Sequence, residues 1–350
     1  MCRAGAVVAI LLLFCLSTAS QADVFNLGSA LTNLQTVLVD DAGNVGEMSG
    51  GSAGGVGLDR YCGSVGYEFR MGKYEVTAAQ YTDFLNHKAA TDLYGLYNVE
   101  MWANGEGCKI ERLGDDGSYT YRVASDWANR PVNFVSFWDA CRFTNWLHNG
   151  QENGSTENGA YPLNGYNSTS GSDIARNPGA RWFVPSEDEW YKSAYYRGGG
   201  PSTEYYDFAT QNDVIPDNQV VSPDPGNNAS CTVGGVYSIG APYYRTNVGQ
   251  FANSESGYGT YDQSGNINEW TETVYNSPSA PRAIRGGGYY MSATTLRASR
   301  RGSTNPAQEG GYFGFRVAAV VPEPSSFVAL GGGLVPLLAL SRRRLRARLG

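Results

Sequence analysis

A short run of oxygen-bearing residues at 261–270 has the composition of a cation-binding turn. Asp262 stands near its start, Gly265 and Asn266 form the turn, and Glu269 follows. Carboxylate and main-chain carbonyl oxygens are the ligands that hard cations such as calcium prefer. The run therefore indicates either a calcium site or a tight turn in which the two carboxylates only cap main-chain amides.

Other common catalytic and metal-binding patterns are missing from the sequence. No phosphate-binding glycine loop or HExxH zinc motif occurs. A facial iron site needs two histidines and a carboxylate, or three histidines. The chain has only His87 and His148, each at the polar end of a predicted helix, so we do not expect an iron site.

The spacing of the cysteines does not favour a zinc site. Two of the six lie near the N-terminus, and the other four are widely spaced without a CxxC pair: Cys62, Cys108, Cys141 and Cys231. In an exported protein these four could form disulfides with three possible connectivities. Cys141 lies on an apolar helix face, where a buried free thiol is the alternative.

The N-terminus has the pattern of a secretory signal peptide. Arg3 precedes an apolar stretch at 7–16, and small residues at 20–22 form a cleavage site. The apolar stretch is too short for a membrane span, which needs about 20 residues. The pattern predicts export, with residues 1–22 as the signal peptide.

The C-terminus carries a second targeting pattern over residues 321–350. A Val-Pro-Glu-Pro sequence at 321–324 is followed by an apolar run at 327–340 and an arginine-rich end at 341–348. This order is typical of an anchor whose arginines stay on the cytoplasmic side, and a simple anchor is one interpretation. The tail also resembles the PEP-CTERM sorting signal of Gram-negative bacteria. That resemblance implies a sorting protease that removes the tail and delivers the protein to the cell envelope or extracellular matrix, with membrane contact only through the tail.

The charge of the chain argues against nucleic-acid binding. Removing both terminal segments takes Lys+Arg from 26 to 20 and Asp+Glu from 33 to 32, which leaves a net charge of about −12. A surface of this sign repels nucleic acid and attracts cations.

The chain reads as one loop-rich domain preceded by a leader segment at 23–65, which contains a strand candidate at 36–39. Three units within the domain share the order of extended segment, capping residue and helix. They are residues 67–76 with a helix from Thr77 to about 86, residues 130–135 with Ser136 and a helix over 137–148, and residues 181–185 with Ser186 and Glu189 as a capping box. The long loop at 149–180 is expected to be a binding or surface excursion.

Five segments in the right order resemble the formylglycine-generating-enzyme family, also called sulfatase-modifying-factor domains. They are YEVTAAQYTDFLN at 74–86, RPVNFVSFWDACRFTNWL at 130–147, WFVPSEDEWYKSAYYRGG at 182–199, GNINEW at 265–270, and RAIRGGGYY with GFRVA at 282–290 and 314–318. The resemblance implies an α+β fold over residues 66–320, similar to a C-type lectin. Such a fold is rich in loops, with few short helices and small antiparallel sheets.

The same resemblance implies a copper oxidase, but the residues for copper are missing. The family holds copper with two cysteines, and this chain has Met291 and Leu296 at those positions. Gly288 replaces a turn serine and Asn268 replaces the tryptophan before Glu269. Copper(I) needs soft thiolates. We therefore expect neither copper nor the oxidation, and we interpret Met291 as packing rather than as a thioether ligand.

The resemblance also implies a structural calcium ion. Its ligands would be the Asp262 side chain, the main-chain carbonyls of Gly265 and Ile267, and the Glu269 carboxylate. Arginines gather in the last third of the chain, where they either bind an acidic ligand or tie loops together: Arg285, Arg297, Arg300, Arg301 and Arg316. The loop-tying role is the preferred interpretation.

The sequence thus predicts a secreted ligand-binding module of the cell surface or matrix. Its unknown ligand would be a carbohydrate or a peptide, bound on a lectin-like face made by the loops at 87–130 and 149–180. A divergent oxidoreductase or protein-modifying enzyme of the same family is the alternative. A matrix component without a ligand is a third interpretation.

Overall fold

The computed structural model describes residues 34–321 apart from 152, 172–173, 201–203 and 277–279. The predicted signal peptide and the sorting tail after residue 321 therefore lie outside the described residues. The helices of the described part are short: α1 Ala78–Lys88, α2 Glu100–Ala103, α3 Phe137–His148 and α4 Glu187–Tyr195. None of them is long and apolar enough to cross a membrane.

The strands are short and form small sheets. In chain order they are β1 Thr36–Val39, β2 Glu47–Ser49, β3 Arg60–Cys62, β4 Phe69–Gly72, β5 Ile110–Leu113, β6 Thr120–Val123, β7 Trp182–Phe183, β8 Thr232–Val233, β9 Val236–Tyr237, β10 Asn268–Val274, β11 Arg282–Arg285, β12 Gly302–Thr304, β13 Phe313–Gly314 and β14 Ala318–Val320. One sheet has the order β1-β4-β14-β7 and another β12-β11-β10-β13. All pairs are antiparallel except β10 with β13, and the predicted loop-rich α+β architecture is confirmed.

The helix starts follow the predicted capping residues. The side chains of Thr77, Ser136 and Ser186 each accept a hydrogen bond from the main-chain amide three residues on, and each completes a capping box. The predicted bounds of α3 agree with the structure, and α1 runs two residues further than expected. The extended segments before these helices are mostly irregular, because sheet pairing reaches only Phe69–Gly72 within 67–76.

Residues 34–65 are part of the domain, which differs from the predicted leader segment. The predicted strand at 36–39 is present as β1, which pairs with β4 along its whole length. Asn44 is buried and donates from Nδ2 to Gly63 O at 2.7 Å and to Tyr205 Oη at 2.7 Å. Much of this docking uses main-chain groups, so the small polar composition gave no signal for it.

The core is aromatic and centres on α3, whose residues from Phe137 to Leu147 are all buried. The rings of Phe84 and Phe143 pack edge to face at 5.3 Å, and Phe143 packs on Phe315 at 5.4 Å. Such pairs stabilise by about 0.5–1.5 kcal/mol beyond the area they bury. The contacts join α1, α3 and the segment before β14 into one core.

The loop at 149–180 packs on α3. Asn145 donates from Nδ2 to Thr156 O at 2.8 Å and to Tyr161 O at 2.9 Å. Tyr161 is buried and donates its hydroxyl to Glu272 Oε2 at 2.6 Å. The described part of this loop is therefore anchored to the core, and its role in a ligand-binding face stays a prediction.

The four cysteines of the domain are free and buried, so the disulfides that export would allow are not formed. Cys141 lies in the core on α3, as the apolar helix face indicated. Cys62 receives a hydrogen bond from Arg285 Nη2 at 3.2 Å. Burial raises the pKa of each of these thiols, which keeps them protonated at neutral pH: Cys62, Cys108, Cys141 and Cys231.

Two of the clustered arginines share one buried carboxylate. Glu187 is fully buried, and its oxygens lie 2.7 Å from Arg285 Nη2 and 2.6 Å from Arg301 Nη2. Burial alone would raise the pKa of Glu187, but the two guanidinium groups outweigh it and lower that pKa. The cluster ties α4, β11 and the segment before β12 together, and the predicted structural role is correct for these two arginines.

We expect Glu187→Ala to lower the free energy of unfolding by about 3–5 kcal/mol, because it leaves two buried guanidinium groups unpaired. The contribution of Glu187 should be fully present above its unfolded pKa near 4.5 and should be lost as the pH falls below that value. Urea unfolding at pH 7 and at pH 4 measures both effects. Asp213→Ala is the matched control, since Asp213 pairs with Arg197 in a pair that is largely exposed, and it should cost under about 1 kcal/mol. An equal loss in both variants would contradict the role of the cluster.

Candidate functional site

The turn before β10 has a left-handed main chain at three positions. The φ angles are +64° at Asp262, +99° at Gly265 and +57° at Asn266. A Cβ atom on Gly265 would lie 2.3 Å from Ser230 O, so only glycine fits there. This close approach lets Asn266 N donate to Ser230 O at 2.8 Å, which docks the turn on the neighbouring loop.

Glu269, predicted as a calcium ligand, forms a buried ion pair. Its Oε1 accepts from Arg316 Nη2 at 2.7 Å, and its Oε2 accepts from Arg316 Nε at 2.6 Å and from Trp190 Nε1 at 2.8 Å. Arg316 also donates to Gly72 O and Tyr261 O. The charge of Glu269 is therefore already neutralised by a side chain.

Two further acids lie near this ion pair. Glu75 is 1% exposed, and its Oε2 atom has no hydrogen-bond partner in the described part of the chain. Burial raises the pKa of Glu75, and the carboxylates of Asp262 and Glu269 raise it further. Burial likewise raises the pKa of Asp262 to about 6. Three acids thus stand against one arginine, and a bound cation would relieve that imbalance.

The fit to calcium is partial. Among the described residues no group of three His, Cys, Asp or Glu side chains is spaced to hold a metal ion. A calcium ion here would depend on Asp262, whose Oδ2 accepts from Gly249 N at 2.6 Å, and on the carbonyls of Gly265 and Ile267. Glu269 could add only an oxygen that it shares with Arg316. Asp262 also borders a cavity of about 10 Å³, room for about one water molecule.

The positions of the two copper cysteines converge, but without thiols. A Cβ atom on Gly287 would lie 2.6 Å from Leu296 Cδ2 and 3.3 Å from Met291 Sδ, so both side chains reach the same spot. Both pack with Cys231 and Phe208 in a small apolar cluster. Burial and the charge of Asp217 raise the pKa of Cys231 to about 12, so the cluster offers one neutral thiol and one thioether. One neutral thiol and one thioether are a weaker donor set for copper(I) than a pair of thiolates.

The two histidines lie at the ends of different helices. His87 Nδ1 lies 2.8 Å from Asp83 O at the end of α1. His148 Nδ1 accepts from Arg181 N at 2.9 Å at the end of α3. Each is held by local main-chain contacts and neither joins a metal-binding group among the described residues.

Five tyrosines form a contiguous group of ring contacts, and we call it the tyrosine face: Tyr237, Tyr244, Tyr289, Tyr290 and Tyr312. Tyr289 is the hub, with ring centroids 6.3 Å from Tyr237, 5.7 Å from Tyr244 and 5.6 Å from Tyr290. Tyr290 continues the row to Tyr312 at 5.4 Å. Tyr237, Tyr290 and Tyr312 are 40–41% exposed, so flat ring surface is available to a ligand.

Buried polar atoms without partners lie beneath and beside the tyrosine face. Asn268 donates from Nδ2 to Tyr290 Oη at 3.2 Å, but its Oδ1 has no partner in the described part of the chain. The same is true of Arg245 Nε and Nη2 and of Asn133 Oδ1. Buried polar atoms are nearly always hydrogen-bonded, so a group of unpaired ones indicates a place for water or a ligand.

Sequence reasoning missed the tyrosine face. Its members come from separate segments: β9, the loop near 244, the loop after β11 and the residue before β13. The adjacent pair Tyr289 and Tyr290 after three glycines was the only local signal.

Comparison with known structures places the fold. Treponema denticola variable protein 1 aligns with a TM-score of 0.50 at 16% identity, over 86% of this chain and 99% of that one. A structure named CarF aligns at 0.45 with 21% identity, over 83% and 99%, and PvdO from Pseudomonas aeruginosa at 0.47 with 18%, over 86% and 98%. The match at a TM-score of 0.50 indicates a similar fold and, at 16% identity, nothing about function. No curated protein matches the chain significantly.

A family-level match covers most of the chain. The profile that matches residues 63–321 is that of the sulfatase-modifying factor enzyme 1-like domain, also called FGE-sulfatase. This range includes the turn, the ion pair and the tyrosine face. The chain therefore belongs to the FGE-sulfatase family of sulfatase-modifying factor enzyme 1-like domains.

Proposed function

We propose that this protein is an exported member of the family that binds a carbohydrate or peptide ligand on its tyrosine face and lacks copper oxidase activity. The observation that carries the proposal is the coincidence of two features at one place. Exposed tyrosines lie next to unpaired buried polar atoms, and the copper-binding positions that follow Tyr290 in the chain hold Met291 and Leu296.

The side chains at the copper-binding positions do not favour the oxidation. Copper(I) in proteins is held by soft ligands that include deprotonated thiols. The one thiol in the apolar cluster, Cys231, is kept neutral by burial and lies beside a carboxylate rather than a cation. The other cysteines of the described residues belong to different parts of the core.

The tyrosine side chains favour ligand binding. Tyrosines supply large, rigid, amphipathic contact area at low cost in side-chain entropy. The exposed rings of Tyr237, Tyr290 and Tyr312 offer aromatic surface for contact with sugar rings or peptide groups. The side-chain Oδ1 atoms of Asn268 and Asn133 would then accept hydrogen bonds from ligand hydroxyls or amides.

Export and delivery to the cell envelope or matrix are proposed from the two terminal patterns. The signal peptide at 1–22 directs secretion, and the tail at 321–350 is the substrate of a sorting protease. A binding module fits this destination, since it needs no reduced cytoplasm and no redox cofactor.

Restoring the sulfur pair tests the loss of copper chemistry. The double variant Met291→Cys with Leu296→Cys should bind about one copper(I) ion, because the two side chains already converge across Gly287. The unmodified protein should bind none and should not convert a sulfatase-motif cysteine peptide to the aldehyde with copper and oxygen. Copper titration and mass spectrometry of the peptide measure these outcomes. Met291→Cys alone is the control. Stoichiometric copper or iron in the unmodified protein would instead support a divergent oxidoreductase.

The tyrosine face can be tested by removing one ring. We expect Tyr290→Ala to weaken ligand binding at least about tenfold, which is about 1.4 kcal/mol, because it removes an exposed stacking surface. Screening against glycan and peptide arrays identifies a ligand, and titration calorimetry measures the change.

Tyr61→Ala is the matched control for this experiment. Tyr61 is 68% exposed on β3 and lies outside the tyrosine face, so its removal should leave affinity unchanged. Equal affinities in the unmodified protein and Tyr290→Ala would contradict the proposed binding surface.

Calcium remains part of the proposal as a structural ion at Asp262, Gly265, Ile267 and Glu269. A metal that binds only the folded state stabilises it by mass action. A chelator should therefore lower the melting temperature, and excess calcium should restore it. Differential scanning calorimetry measures the shift.

The variant Asp262→Asn separates calcium from the ion pair. It should melt at the same temperature with and without chelator, because it removes one ligand charge. Glu269→Ala should be less stable in either case, since Arg316 is then unpaired. An unchanged melting curve of the unmodified protein in chelator would remove the calcium site.

A further inference from the structure

Arg245 differs from the other fully buried arginines of the domain. Arg142, Arg285, Arg301 and Arg316 each form an ion pair with a carboxylate. Arg282 has no ion pair within the described residues, but both of its Nη atoms donate to main-chain carbonyls. Arg245 is 0% exposed, and its Nε and Nη2 have no hydrogen-bond partner within the described residues. Its one side-chain hydrogen bond runs from Nη1 to Gly311 O at 3.3 Å.

A second guanidinium group lies beside it. Arg130 is also buried, and its Nη1 donates to the main-chain oxygen of Arg245. Burial lowers the pKa of both groups, and the charge of Arg130 lowers that of Arg245 further. Arg130 has partners of its own, since its Nε donates to Asp126 O and its guanidinium group lies 4.0 Å from the Tyr243 ring centroid. Arg245 has no carboxylate partner within the described residues, and removing its charge from water is costly, which favours an anion there.

Arg245 lies directly behind the hub of the tyrosine face. Its Cζ atom is 5.8 Å from the Tyr289 ring centroid and 5.9 Å from that of Trp127. Tyr289 in turn contacts Tyr237, Tyr244 and Tyr290. A ligand on the face that displaces the Tyr289 ring would bring an anionic group to the unpaired nitrogens.

We propose that Arg245 receives the carboxylate of an acidic saccharide, such as a uronic acid residue, whose neighbouring sugar rings stack on the tyrosine face. This inference rests on the proposed binding function and names its ligand class. The planar guanidinium matches a carboxylate through two parallel hydrogen bonds. The exposed rings suit sugar faces, and the unpaired Asn268 Oδ1 suits a hydroxyl donor.

Glu106 is the competing negative charge at this place. Its carboxylate interacts with the Tyr289 hydroxyl. It also lies close to Gly311, where an added Cβ atom would be 3.0 Å from Glu106 Oε2. Arg245 donates a hydrogen bond to the carbonyl of the same Gly311. It therefore repels an incoming anion. Its removal should improve binding of an acidic ligand, opposite in sign to removal of Arg245.

The experiment uses oligogalacturonate and its fully methyl-esterified form, which differ only in the charged group. The full chain should bind the free acid more tightly than the ester by titration calorimetry. Arg245→Gln should lose about 10-fold to 100-fold for the acid and little for the ester, as expected for hydrogen bonds to a charged group. Glu106→Gln should gain about fivefold for the acid alone, and it keeps the test decisive if Arg245→Gln does not fold.

Other outcomes would overturn the inference in distinguishable ways. Equal binding of acid and ester, lost in both cases on Tyr290→Ala, would keep the binding face and remove the role of Arg245. An acid preference that survives both Arg245→Gln and Glu106→Gln would place the anion elsewhere. Binding of poly-glutamate with the same dependence on Arg245, but not of oligogalacturonate, would assign the site to acidic peptides. No binding of any of these probes would refute the acidic ligand, while Tyr290→Ala on the array ligands still tests the face.

Discussion

The pairing of Glu269 with Arg316 inside the domain is the interaction on which the other features depend. Both side chains are fully buried, and three N–H groups donate to one carboxylate. Through these bonds β10, α4, β4 and the turn at 261–267 are fixed relative to one another. Removing one partner of such a pair leaves an uncompensated buried charge, whereas the pair itself fixes a single arrangement. A fold with so little regular structure needs that kind of constraint, because loops do not satisfy their own main-chain groups.

The tyrosine face is a consequence of that constraint. The same turn that presents Glu269 to Arg316 directs Asn268 toward Tyr290 and Tyr312 O. Asn266 O accepts from Tyr289 N at 3.0 Å, which holds the hub of the face against the turn. The interior ion pair and the surface rings are thus opposite sides of one short segment. At the positions that the family resemblance assigns to the copper cysteines, Met291 and Leu296 pack together beside Gly287.

Sequence reasoning predicted the scaffold better than the surface. Capping residues act over three positions, so Ser136 and the boxes at Thr77 and Ser186 could be recognised locally. The missing thiols at 291 and 296 could be read because a motif fixes their spacing. The roles of Glu269 and Arg245 could not, because both depend on partners more than 40 residues away. The docking of residues 34–65 on the domain could not be predicted for a related reason. Much of it uses main-chain atoms, which the composition does not reveal.

The origin of the tyrosine face in separate loops has a consequence for evolution. Tyr237, Tyr244, Tyr290 and Tyr312 are held mainly by one another and by the hub, and none belongs to the Glu269–Arg316 pair. Relatives could therefore exchange these side chains one at a time and acquire new specificities at little cost in stability. A single architecture would then support a repertoire of recognition proteins, each differing in the few rings it displays.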